Sequence, residues 1–290
     1  PGRLFFRAAQ DLDCTRRTNL PDRTLHSFCG IASLSQPLRL EIDAGIARLL
    51  IDRPDKRNAF NQAMWTAFPG LVDAAMANPD VRLLIVQAAT PGPFCAGADI
   101  AEFAKSAADP AWRRANGAGI RATQVTLARA PKPTLAVVDG DCIGGGCGIA
   151  LACDLRIASP RARFGITPAK LGLVYPLHDT RLLVDLVGPA QAKRLLYTAE
   201  LIDAAEATRI GLVQILADDI DAAVADHVAR LLAGSPHTQR GTKAIVSRIL
   251  SGVTDDDPAS SGQFDAAFEG VDFAEGVSAF PAKRTPQFGG

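Results

Sequence analysis

The stretch PKPTLAVVDGDCIGGGCGIALACDLRIAS, residues 131–159, decides the fold. TLAVVDG reads as a buried strand that runs into a glycine-bearing turn, CIGGGCGIALA opens a helix at Gly144, Gly145 and Gly146, and CDLRIAS returns as another strand. The first N–H groups of a helix have no acceptor inside it, and glycine lets a ligand approach that backbone closely. Such a turn aims free N–H groups at any negative oxygen placed there. A glycine triplet ahead of a helix is also a means of packing helix tightly on strand, and alone the stretch supports either reading.

Upstream the same order recurs. LRLEIDAGIARLLIDRP, from Leu38, reads as a hairpin: Leu38, Leu40 and Ile42 alternate, Ala44-Gly45 turns, and Ile46 to Ile51 returns. Asn61 then caps an apolar-periodic helix through Met64, Phe68, Leu71, Val72 and Ala75, with a kink expected at Pro69-Gly70 and a stop at Asn78-Pro79. VRLLIVQAA follows as a buried strand, and PGPFCAGADI (91–100) is a second glycine-bearing turn, in which Asp99 caps a helix beginning at Ile100. Two such turns together could form an oxyanion hole.

Downstream of Ile202 the pattern turns helical, in five stretches ending at EGVSAFPAKR. A strand-rich core followed by a helical tail suggests a tail that packs on a neighbour or lids the core. Of 290 residues, 48% are hydrophobic, enough for a buried core, and 31 basic residues balance 31 acidic ones, so no long-range field gathers nucleic acid or an anionic membrane. No run of about 18 apolar residues is present, so no membrane span is expected. The six cysteines include no CxxC pair and the four histidines lack ligand spacing, so no metal site is expected. Cys142, Cys147 and Cys153 read as buried packing in a reducing compartment, which points to the cytoplasm. Residues 1–36, with five arginines and no secretory apolar stretch, read as a disordered or loosely packed extension.

Five blocks in register resemble the crotonase family, the enoyl-CoA hydratases and isomerases: RPDKRNAF (53–60), FCAGADI (94–100), the opening stretch, ARFGITPAKLGL (162–173) and EGVSAFPAKR (275–284). The resemblance runs from about Leu38 to Phe288. It implies an α/β fold, a crotonase-like spiral of repeated β-β-α units, with an acyl-CoA-binding core at 37–230 and a helical trimerisation region at 231–290. It further implies that the amides of Ala96 and Gly145 bind the thioester oxygen and that the backbone around Ala98, Asp99 and Ile100 holds the adenine end of coenzyme A. Lys56, Arg57, Lys283 and Arg284 are the cations for its phosphates, with Ala59 and Phe280 assigned to the same site. Lys283 and Arg284 are expected to reach in from a neighbouring subunit of a homotrimer or dimer of trimers. Coenzyme A enters as part of the substrate, and no permanently bound cofactor is expected.

The chain departs from the family's hydratases at two positions. Their two glutamates, one two positions after the glycine triplet and one in an FGxPE stretch, are replaced by Gly148 and Pro168, neither of which moves a proton. In their place ITPAKLGLVYPLHDTR brings Tyr175, His178 and Asp179 to the start of a helix, and resembles the TPxxLGxxY segment of methylmalonyl-CoA decarboxylase-like members. A decarboxylase must hold a carboxylate out of the thioester plane and stabilise an enolate, tasks an oxyanion hole and a tyrosine hydroxyl can share. Malonyl-type decarboxylation is therefore favoured. Hydration or isomerisation by unfamiliar acid-base groups and a binding protein without catalysis are the alternatives. Phe103 and Trp112 read as core packing or as limits on acyl length, and Asp139 and Asp154 as loop fasteners on backbone amides.

Overall fold

The computed structural model describes residues 36–289. The chain opens with strands β1 (Leu38–Asp43) and β2 (Ile46–Ile51), antiparallel, with Leu38 opposite Ile51 and Asp43 opposite Ile46. Ala44 and Gly45 both take positive φ, 47° and 81°, the geometry of a two-residue hairpin turn whose twist matches its strands. Helix α1 (Gln62–Ala77) crosses to β3 (Leu83–Ala88), and α2 (Ile100–Ser106) with α3 (Pro110–Ala128) crosses to β4 (Thr134–Val138). The expected stop holds, since Asn78 caps α1, and the helix runs on through Pro69 to Ala77. Proline lacks an N–H, which frees the carbonyl of Trp65 four residues back, and the Thr123 hydroxyl of α3 donates to that oxygen at 3.2 Å.

From β4 the chain leaves the main sheet. It forms β5 (Asp141–Ile143), helix α4 (Gly145–Ala152), β6 (Leu155–Ala158) back in the main sheet, and β7 (Arg163–Gly165) beside β5. Helix α5 (Leu177–Thr198), broken at Gly188, leads to β8 (Leu201–Asp203), helix α6 (Ala204–Arg209) and β9 (Ile215–Leu216). The result is a six-stranded sheet in the order β1-β2-β3-β4-β6-β9 and a three-stranded sheet in the order β5-β7-β8. Within the larger sheet all pairs except β1-β2 are parallel, and β3 is buried as a continuous apolar run, as covered parallel strands require. This alternation between sheets is the spiral expected from the repeated turns.

Helices α7 (Ile220–Ala233), α8 (Pro236–Leu250), α9 (Pro258–Phe268) and α10 (Val271–Ala279) complete the chain. The described residues, 36–289, fall within one compact unit, and the boundary expected at 230/231 falls inside α7. The extension expected at 1–36 lies almost wholly outside the described residues.

One buried cation fixes α4. Arg156, fully buried on β6, donates to the carbonyls of Ala150 and Cys153 at the end of α4, to the carbonyl of Leu212, and to the Gln214 side chain. The guanidinium satisfies carbonyls that the helix end leaves open and complements its dipole. The N-terminus of α4, where the chemistry is expected, is thus held from behind.

Candidate active site

The two glycine-bearing turns are stitched together. Cys95 N–H donates to the Asp141 carbonyl at 3.0 Å and Ile143 N–H to the Cys95 carbonyl at 2.9 Å, which brings FCAGADI alongside β5 and the start of α4. Gly146 serves packing, because a Cβ there would collide with the Cys95 carbonyl, and Gly144 serves the turn, at a φ of 54°. That leaves Gly145 at the first helical position, its N–H without an acceptor among the described residues.

The partner amide is Ala98, which corrects the expectation of Ala96. Ala96 N–H is already engaged, donating to the Arg57 carbonyl at 3.0 Å. Phe60 N–H donates to the Gly97 carbonyl and Asp99 N–H to the Phe60 carbonyl, both at 2.8 Å. In an extended chain successive peptides face opposite sides, so the N–H of Ala98 faces away from Phe60. It has no acceptor among the described residues, and its nitrogen lies 3.9 Å from the point a Cβ on Gly145 would occupy.

One turn along α4 from Gly145, the missing side chain of Gly148 leaves a niche filled from two neighbouring elements. A Cβ there would collide with the Gln124 carboxamide of α3 and stand 3.1 Å from the Tyr175 hydroxyl. That hydroxyl is buried with no hydrogen-bond partner among the described residues. Burial and the neighbouring Asp179 raise it well above the usual tyrosine range, so it holds its proton. Gln124 is fully buried, and in the orientation that satisfies its amide the nitrogen donates to the Asp179 carboxylate. Asp179 is only 2% exposed, and burial pushes its carboxyl up to about 7 against the opposing charge of Arg121. The helix it belongs to is capped by Pro176 without a side-chain bond, so Asp179 is no cap. The Nε2 atom of His178 is also buried without a partner among the described residues, and burial together with Arg121, Arg129 and Arg181 lowers its pKa, leaving it neutral at neutral pH.

The residues expected to hold coenzyme A divide. Lys56 is exposed on the turn after β2, while Arg57 pairs with Asp141, which Arg163 also grips at 2.7 Å. Ala59 is buried, and its N–H and carbonyl are both engaged, with the Lys56 carbonyl and the Arg53 guanidinium. The Asp99 carboxylate caps α2 through the amides of Ala101 and Glu102 and pairs with Arg53 at 2.8 Å, which holds its pKa below the usual carboxylate range. Ile100 is exposed, and its N–H has no acceptor among the described residues. Phe280, 87% exposed, lines a cleft of about 640 Å³ with Phe273, Val277 and Phe288; Lys283 follows it, and Arg284 pairs with Glu275.

Phe103 and Trp112 meet edge to face at 5.5 Å. Asp154 fastens its loop as expected, accepting from Thr134 N–H at 2.8 Å. The Asp139 carboxylate instead takes the Arg161 guanidinium, which corrects the amide expected for it. No described helix is long and apolar enough to cross a membrane.

Two N–H groups without an acceptor among the described residues, beside a helix N-terminus and inside a spiral of two sheets, are an arrangement that can stabilise a developing oxyanion. Residues 41–290 match the family model of enoyl-CoA hydratase/isomerase, and the chain belongs to that crotonase family of acyl-CoA enzymes. It is 37% identical over 254 residues to the crotonyl-CoA hydratase of Syntrophomonas wolfei, covering 86% of this chain and 96% of that one. It is 30% identical to the mitochondrial methylglutaconyl-CoA hydratase of Rattus norvegicus, over 86% of this chain and 81% of that one. Among solved structures, an enoyl-CoA hydratase/isomerase family protein from Hyphomonas neptunium matches with a TM-score of 0.85 and 39% identity, over 88% of this chain and 98% of that one.

Proposed function

We propose that this enzyme binds a malonyl-type acyl-CoA, holds the thioester oxygen between the amides of Ala98 and Gly145, and releases carbon dioxide to leave an enolate. The observation that carries the reading is the niche at Gly148. Where a hydratase carboxylate would stand, a carboxamide and an uncharged hydroxyl fill the space, and Pro168 offers no second carboxylate. An oxyanion hole of two preorganised donors supplies the stabilisation decarboxylation needs, each donor being worth about 2.7–4 kcal/mol in such sites. Coenzyme A is taken to lie along the backbone of Ala98 to Ile100, with the exposed Lys56 as a cation for its phosphates and Lys283 contributed by a neighbouring subunit. A homotrimer or dimer of trimers is supported by the apolar face that α8–α10 expose, with Ile249, Phe264, Phe268, Val271 and Val277 all open to solvent in the single chain. The balanced charge and buried free cysteines favour the cytoplasm.

A second reading has its own observation. Asp179, titrating near neutrality and coupled to Gln124 beside the niche, is equipped for general acid-base work, and the relatives named above are hydratases. Product analysis by mass from malonyl-CoA, methylmalonyl-CoA and crotonyl-CoA separates the two. Loss of 44 Da from the malonyl-type substrates, of the order expected for carbon dioxide, supports decarboxylation. Hydration of crotonyl-CoA at about 10 per second or more, without that loss, replaces it with the second reading.

A further inference from the structure

Trp65 of α1 touches both halves of the hole. Its indole is fully buried, and the ring edge carrying Cζ2 and Cη2 lies 2.9 and 3.0 Å from the point that a Cβ on Gly145 would occupy. The Ala98 nitrogen stands 3.9 Å from that same point, so the ring edge and both donor peptides converge there. The ring also packs on Phe60, with centroids 4.6 Å apart and planes inclined at 46°. Phe60 is the residue whose N–H and carbonyl hold Gly97 and Asp99 on either side of Ala98. One rigid side chain therefore meets the backbone that carries each N–H.

The ring is braced by α3. A Cβ on Gly119 would stand 3.1 Å from the Trp65 Cβ, and the Thr123 hydroxyl donates to the Trp65 carbonyl that Pro69 frees. The indole N–H is buried with no hydrogen-bond partner among the described residues, a desolvation cost that a phenyl ring would avoid. What the bicycle has over phenyl is reach, and its far edge is the part that lies against Gly145. We propose that Trp65 is a positioning residue, a rigid spacer whose far edge sets the separation and aim of the Ala98 and Gly145 N–H groups. The proposal rests on the hole assigned under the proposed function and not on decarboxylation. A hole stabilises charge only while its donors are held in place, and a misplacement of about 1 Å can cost about a hundredfold in rate.

The test reads the hole through the ¹³C resonance of butyryl-CoA labelled at its carbonyl. Polarisation by the two N–H groups is expected to move that resonance downfield in the wild-type complex. Trp65→Phe is expected to lose about half of the displacement or more and to lower turnover about tenfold, with coenzyme A affinity kept. Trp65→naphthylalanine, which restores the second ring without the N–H, is expected to recover the wild-type displacement. Val72→Ala, a buried truncation two turns further along α1, is expected to lower the urea midpoint and leave the displacement unchanged. Equal losses in Trp65→Phe and Val72→Ala would reduce Trp65 to core packing and overturn the proposal, as would a displacement that survives Trp65→Phe. Failure of naphthylalanine to restore the displacement would assign the effect to the N–H and overturn the spacer. Should Trp65→Phe not fold, Thr123→Val removes the brace while keeping the ring, and an unchanged displacement there overturns the proposal. No displacement in the wild-type complex overturns the hole itself, and the spacer with it.

Discussion

The two halves of the site are built from different materials. The hole at Ala98 and Gly145 is backbone: two N–H groups held by a strand-like bridge to Phe60 and by the first turn of α4. The niche at Gly148, one turn further along α4, is side chain, assembled from Gln124 on α3 and from Tyr175 and Asp179 around the start of α5. Backbone donors leave their identity to geometry and tolerate changes of side chain. The niche depends on each residue that fills it, so under the proposed function the hole would set the class of chemistry and the niche the reaction.

Substitutions that remove one half and spare the other sharpen that contrast. Ala98→Pro deletes a hole N–H and is expected to lower kcat by 10²–10³, about 2.7–4 kcal/mol, with coenzyme A affinity measured by calorimetry largely kept. Tyr175→Phe removes the niche hydroxyl and is expected to lower turnover by about a hundredfold at unchanged KM. Intact turnover in Tyr175→Phe would break the assignment of proton handling to the niche while sparing the hole.

Asp179 gives a smaller effect with a defined sign. Its folded pKa, about 7, lies above its unfolded value of 3.8, so the folded chain holds the extra proton between those limits and stability falls as pH rises through that window. Denaturation of wild type and Asp179→Asn at pH 5 and pH 8 is expected to show the variant gaining roughly 2 kcal/mol relative to wild type at the higher pH. Activity that needs protonated Asp179 should likewise fall above about pH 7. Gly148→Ala is expected to have the smallest effect, a loss of about 1 kcal/mol in urea denaturation, because the Gln124 carboxamide end can yield to the new methyl.

Much of the fold was legible in the sequence because its signals are local. The Ala44-Gly45 hairpin, the glycine turn into α4, the Asp99 cap and the periodic helices of the tail each sit within a few residues of their cause. The choice between Ala96 and Ala98 was not legible, since it depends on which peptides face Phe60 across a bridge to a distant segment. Which group takes up the Trp65 carbonyl that Pro69 frees was likewise not legible, because it is Thr123, far along the chain. Gln124 escaped notice as one polar residue in a helix. Its neighbours Thr123 and Leu127 are both fully buried, and a glutamine beside that stripe is the signal that could have found it.

The claim beneath all of this is that Ala98 and Gly145 polarise one thioester carbonyl. Isotope-edited infrared spectroscopy of butyryl-CoA carrying ¹³C at its carbonyl measures that polarisation in the bound complex. The account predicts a carbonyl stretch at lower frequency in the wild-type complex than in water, and most of that displacement lost in Ala98→Pro. An identical frequency in water and on the enzyme, or a displacement indifferent to Ala98→Pro, would contradict it.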